Sequence, residues 1–307
     1  MSVAARSYLT RVLDIMERNA LVRHEVDWEK TRRQAFAQAG DAQKPSDTYD
    51  TIRFVLREVG HGHSSFFDPQ QVEEALKASP DASFRGPEGR SLGDHVGYVS
   101  IPAVNGSDAL YERYVRQGRA AVAKADRTGA CGWVVDLRQN HGGNMWPMLA
   151  VAGPILGDGK VGMFVDSDGK TSPWTIRNGN PRENGTPHTW GDSTSVADAH
   201  APVAVLTDGI TASSGEAVLV AFRGRPRTRS FGEDTFGVPT GKNDHRLSDG
   251  AVLGLAEIRD ADRTGRSYDG PIPPDEEIPT RGLGSGTHTD QVLQAAKKWL
   301  VKQAACR

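Results

Sequence analysis

The chain has 307 residues, with 37 Lys and Arg against 39 Asp and Glu and a formal net charge of -2. That balance lacks the basic excess that nucleic acid or an anionic membrane surface calls for, so neither is expected as a partner. No run approaches the ~18 consecutive apolar residues of a membrane span.

The first twenty-five residues, MSVAARSYLTRVLDIMERNALVRHE, lack a secretory apolar core and read as an amphipathic helix. Leu9, Val12, Leu13, Met16 and Ala20 share one helical face. Trp28, Arg32 and Phe36 mark a second helix, and Tyr49, Ile52, Val55 and Leu56 a third, with Ser46-Asp47 as its cap. Residues 1–63 are therefore expected to form a small helical N-terminal subdomain. Residues 64–95, with Pro69, Pro80, Gly86 and Pro87 around a short helix-like run at 72–76, read as a connector. From Val96 to the C-terminus, apolar strands at 96–101, 133–137 and 202–206 alternate with helical stretches, which argues for an α/β core. The Gly-, Pro- and Ser-rich segment 166–200 reads as loop or short hairpins of the kind that borders a site. Val292, Ala295, Ala296, Trp299 and Leu300 form the packing stripe of a C-terminal helix. The two cysteines, Cys131 and Cys306, have no metal-ligand spacing; Cys131 reads as a core residue and Cys306 as a tail thiol. Unpaired thiols and the missing apolar leader point to a reducing, cytoplasmic setting.

Three segments carry candidate chemistry. The strand ending at Leu206 runs through Thr207-Asp208-Gly209 into Thr211-Ala212-Ser213-Ser214-Gly215-Glu216 and an apolar helix. A serine there sits where free N–H groups and the helix dipole stabilise an oxyanion. Taken alone, the segment reads first as a helix cap, by Ser213 or Ser214, and only second as a nucleophile. Asp136-Leu137-Arg138-Gln139-Asn140-His141-Gly142-Gly143 ends a strand in paired glycines, which suit an oxyanion hole or an ordinary tight turn. Gly60-His61-Gly62-His63-Ser64-Ser65-Phe66 offers an imidazole as general base. A metal site needs further ligands that the sequence does not supply, and no organic cofactor is implied.

Taken together and in order, these motifs resemble the C-terminal processing peptidase family, which includes tail-specific proteases and the core of tricorn protease. Gly232-Glu233-Asp234-Thr235-Phe236-Gly237 and Gly270-Pro271-Ile272-Pro273-Pro274-Asp275 complete the set, and the resemblance spans roughly residues 10–303. It implies a Clp protease/crotonase-like core and a serine peptidase acting on peptide or protein substrates, with self-association left open. Ser213 matches the nucleophile, and Ser214 with Gly142 or Gly143 would form the oxyanion hole. Two departures stand out. Val238 occupies the place of the lysine of the usual Ser–Lys dyad, and Lys242 lies beyond Pro239. The resemblance to the tricorn-like branch then implies His63 as base, with Asp269 as the orienting acid and Glu257 or Asp275 as fallbacks. The short 64–95 connector also leaves no room for a peptide-binding PDZ module. A non-peptide acyl transfer, by an esterase or cyclase, and a catalytically silent binding protein are the rival readings.

Overall fold

The computed structural model describes residues 1–59, 62–77, 84–278 and 290–306. The chain divides into two compact units, one of Met1–Ser79, Val165–Thr171 and Thr240–Arg259, the other of Pro80–Phe164, Ser172–Pro239 and Asp260–Arg307.

The first unit begins with α1 (Val3–Asn19), α2 (Trp28–Ala39) and α3 (Tyr49–Val59). The predicted face of α1 is real: Leu9, Val12, Leu13, Met16 and Ala20 are fully buried. Ser2 caps the helix by accepting from the Ala5 N–H. Ser46-Asp47 does not cap α3 as expected. The proline at 45 starts a 3-10 turn, Pro45–Thr48, and Asp47 instead accepts from the Gln43 and Lys44 N–H groups that precede the turn. These helices share one apolar cluster with Phe66 of β1 (Ser65–Phe67) and with Leu253 and Leu255 of β12 (Val252–Asp262). β12 pairs antiparallel with both β1 and β11 (Thr240–Arg246). The unit thus extends past residue 63 and recruits strands from late in the chain. Within the connector, α4 (Pro69–Lys77) follows β1.

The second unit is organised by a sheet in the order β13-β10-β9-β4-β3-β2. Its strands are β2 (Gly89–Ser91), β3 (Val96–Ser100), β4 (Gly132–Asp136), β9 (Val203–Thr207), β10 (Thr228–Gly232) and β13 (Glu276–Glu277). All neighbours are parallel except β2 and β3. Every residue of β4 and β9 is buried, as expected for central parallel strands covered on both faces. Side-chain alternation assigns the faces. Trp133, Val135, Val203 and Val205 pack with α5 (Asp108–Ala125), α6 (Met145–Leu156) and α7 (Ser214–Phe222). Val134, Ala204 and Leu206 pack with Val292, Ala296 and Leu300 of α8 (Gln291–Leu300). The segment expected as hairpins folds as such: β5 (Gly159–Asp166) is followed in the sheet by β6 (Thr171–Arg177), β7 (Asn180–Glu183) and β8 (Thr186–Pro187). Buried Arg119 of α5 donates to the carbonyls of Trp190 and Asp192 and to Asn180 Oδ1, anchoring the stretch beyond β8.

The cysteines correct the sequence expectation. Cys131 and Cys306 form a disulfide, with Cα atoms 5.1 Å apart despite a separation of 175 residues. Cys131 lies just before β4 and Cys306 in a 3-10 turn after α8, and α8 packs against β4 and β9. The sheet brings together two residues that no local pattern connects. Free, reduced thiols are therefore not the state of this fold. No helix among the described residues is long and apolar enough to cross a membrane.

Candidate active site

β4 and β9 are parallel neighbours, with Asp136 opposite Leu206, so the loops leaving their C-terminal ends lie side by side. This is the edge at which α/β sheets present ligand sites. One loop carries Gly142 and Gly143 and enters α6; the other carries Ser213 and enters α7. Several bonds lock the two loops together. The Ala212 N–H donates to Asn140 O at 2.9 Å, the Thr211 hydroxyl to Leu137 O at 3.0 Å, and the Ser214 hydroxyl to Gly143 O at 2.6 Å. The Gln139 N–H and side-chain amide both donate to the Asp208 carboxylate.

Ser213 occupies the position before α7 with φ 51° and ψ -119°. A non-glycine residue at positive φ is uncommon, and holding one there costs on the order of 1–3 kcal/mol unless the surroundings dictate it. Here Glu216 dictates it. Its carboxylate is fully buried and accepts from the Ser213 N–H at 2.8 Å. It also accepts from the Thr235 hydroxyl and, at 2.9 Å each, from the Gly237 and Val238 N–H groups. One side chain therefore sets both the strained turn at Ser213 and the loop at residues 235–238. Burial raises the Glu216 carboxyl above its ordinary value, against the four hydrogen bonds that favour the charged form. Asp260, also buried, is raised well above its ordinary value, by burial first and by the charge of Glu216 second. Sequence reasoning missed Glu216 as a clamp, although its place three residues after Ser213 is the offset at which a carboxylate reaches back to a cap N–H.

The glycine pair resolves into two different functions. The Gly142 N–H donates to Asn140 Oδ1 at 2.9 Å, so it is already committed. The Gly143 N–H and the Ser214 N–H have no acceptor among the described residues. Gly142 has φ +102°, and a Cβ there would lie 2.9 Å from the Ser213 Cβ; at Gly143, φ is +116° and a Cβ would lie 2.0 Å from Val104 O. Both positions require glycine, the second most strictly because the obstacle is backbone. Gly143→Ala should lower the urea midpoint by the equivalent of about 2 kcal/mol or more, since strain and clash combine. An unchanged midpoint in a chemical melt would show that the turn relaxes more easily than its contacts imply.

His63 belongs to the first unit, at the turn before β1, and its Nδ1 lies 2.7 Å from the hydroxyl of buried Thr240. Gly60 and His61 of the same motif lie outside the described residues. Asp269 belongs to the second unit and is exposed, next to Gly270. The fallback acids have other work. Glu257 accepts from Asn243 and lies 2.6 Å from His245 Nε2, while Asp275 pairs with Arg223 and accepts from the Ser230 N–H and hydroxyl. Val238, at the dyad-lysine position, is buried; Lys242 is exposed on β11. His141 is exposed and, with Phe84, Val104, Leu110 and Gln139, lines a cleft of about 370 Å³ beside the glycine turn. Trp146, at the start of α6, stacks on His188 with ring centroids 4.1 Å apart, which brings the hairpin region to the helix that follows the glycine turn.

Comparison with known proteins accounts for this arrangement. A lipoprotein from Streptococcus agalactiae superposes with a TM-score of 0.76 at 24% identity, covering 98% of this chain and 97% of that one. The photosystem II D1 C-terminal processing protease superposes with a TM-score of 0.66 at 16% identity, covering 99% of both chains. The fold is thus that of the Clp protease-like α/β peptidases. In sequence, the nisin-resistance protein of Lactococcus lactis subsp. lactis is 26% identical over 299 residues, 97% of this chain and 87% of that protein. Residues 95–278 match the model of peptidase family S41, and the chain belongs to that family. Its substrates are accordingly peptides or proteins.

Proposed function

We propose that the chain is a serine peptidase working through an acyl-enzyme at Ser213. The observation that carries this reading is the strained Ser213 turn, set beside two uncommitted N–H donors at Ser214 and Gly143. Ser213 also stands at the N-cap of α7, but an ordinary N-cap serine has extended backbone angles, so capping alone does not account for its positive φ. His63 is assigned as the base that takes the Ser213 hydroxyl proton and returns it to the leaving amine. Thr240 is assigned to help hold its ring through Nδ1, with Asp269 kept as the assigned orienting acid. The tetrahedral oxyanion is held by the Ser214 and Gly143 N–H groups. Water then releases the acyl group. The likeness to a protein named for nisin resistance makes nisin the first substrate to try, followed by a peptide library. The disulfide favours an oxidising compartment over the cytoplasmic expectation.

Buried Val238 in the lysine position favours a second reading, a silent peptide-binding member of the family. Labelling with a fluorophosphonate probe separates the two. Wild type should form an adduct, Ser213→Ala none, and His63→Ala should react at least about a hundredfold more slowly. A folded wild type that never labels would sink the peptidase reading. Probe labelling with ester turnover but no peptide cleavage would move the assignment to an esterase.

A further inference from the structure

Five large apolar side chains stand exposed among the described residues: Val3, Phe67, Leu76, Ile210 and Phe236. Three belong to the first unit; Ile210 and Phe236 belong to the second, Ile210 on the turn that leads to Ser213 and Phe236 on the loop held by Glu216. Ile210 is 46% exposed and lies three residues before Ser213. Phe236 is 62% exposed, and its N–H donates to Thr211 O at 2.9 Å, which ties its loop to the residue after Ile210. Isolated exposed apolar residues are ordinary and need no explanation. This pair is different because it is held rigid. Thr235 and Gly237, on either side of Phe236, both donate to Glu216 Oε1. Val238 and Ser213 both donate to Oε2 of the same carboxylate. With its loop pinned on both sides, the backbone of Phe236 is fixed, and its position is coupled to that of the nucleophile.

We propose that Ile210 and Phe236 form a specificity-determining seat for a bulky aliphatic or aromatic side chain of the peptide, next to the bond presented to Ser213. The inference rests on the reading of Ser213 as the reactive centre. A preformed apolar seat requires little ordering when the substrate arrives, so burial of the incoming side chain goes into affinity. The occupant is a substrate residue because the pair adjoins the nucleophile turn itself, through one hydrogen bond and one shared carboxylate.

The test uses binding, so that it does not depend on turnover. In the full chain carrying Ser213→Ala, fluorescence anisotropy is read for labelled peptides with Phe, Leu, Ser or Asp at one varied position. At one position, Phe and Leu peptides should bind at least about tenfold more tightly than Ser and Asp peptides. Adding Phe236→Ser or Ile210→Ser should reduce that ratio to within about twofold while thermal melts stay unchanged, since both side chains are exposed in the parent. A ratio that persists in both variants overturns the proposal, as does a parent without any preference. Loss of self-association in the variants, with the peptide ratio intact, also overturns it and gives the pair to a second copy of the chain. Failure of the peptidase reading appears separately, as wild type that does not take the fluorophosphonate label.

Discussion

Replacing Glu216 with Gln should reduce kcat for peptide cleavage by about a hundredfold with little change in KM, because the nucleophile is displaced rather than the substrate site removed. The amide keeps the size of the carboxylate but presents an NH2 group to donors. At least one of the four hydrogen bonds from Ser213, Thr235, Gly237 and Val238 must then be lost. A buried N–H left without an acceptor costs about 1–3 kcal/mol, so the melting temperature should also drop. Glu216 acts through Ser213 and is a positioning residue, and pH provides a readout that packing alone would not give. Burial raises its carboxyl in the folded chain, so the folded state holds the proton more tightly than the unfolded state does. Wild type should therefore lose stability as pH rises from about 4.3, the unfolded glutamate range, through the raised folded value. The clamp itself closes over that same rise, since the charged form is the one that accepts four donors. Glu216→Gln should lack this slope in chemical melts between pH 4 and 7. An identical slope in the variant would assign it to another group, with Asp260 first in line.

Reduction of the Cys131–Cys306 disulfide should lower the melting temperature by roughly 3–8 °C. The cross-link closes a loop of 175 residues; loss of a native disulfide typically costs about 2–5 kcal/mol, and chain entropy places a loop this long near the upper end, at about 5 kcal/mol. Spread over the unfolding entropy of a chain of this size, that gives the stated shift. Cys131→Ser should melt at the reduced temperature with or without reductant. Thiol titration of the native, unreduced protein should find no free thiol; two reactive thiols there would remove the bond, and with it the case for an oxidising compartment.

How far the sequence anticipates the structure depends on the range of the physics involved. The helix of Leu9, Val12, Leu13 and Met16 and the run from β9 through the Ser213 turn into α7 are written in local periodicity and turn residues. The order of the motifs likewise pointed to the family that residues 95–278 match. What was not legible depends on partners far apart in the chain. Glu216 binds residues 19 to 22 positions downstream. Cys131 finds Cys306 only because α8 returns to the sheet. Gly142 and Gly143 look equivalent in sequence, and only the Asn140 side chain distinguishes the committed N–H from the uncommitted one. Asp47 moved from the cap of α3 to the turn before it because Pro45 starts a tighter helix than the spacing suggested.

The covalent tie between Cys131 and Cys306 also limits what a break in the chain can do. Any single backbone cut between those residues, including one in the exposed stretch at residues 184–187, leaves two fragments still joined. Both loops that frame Ser213 lie inside the tied segment. A nicked molecule thus keeps its glycine turn and its serine turn on one covalent assembly, and the sheet between them has no fragment that can diffuse away.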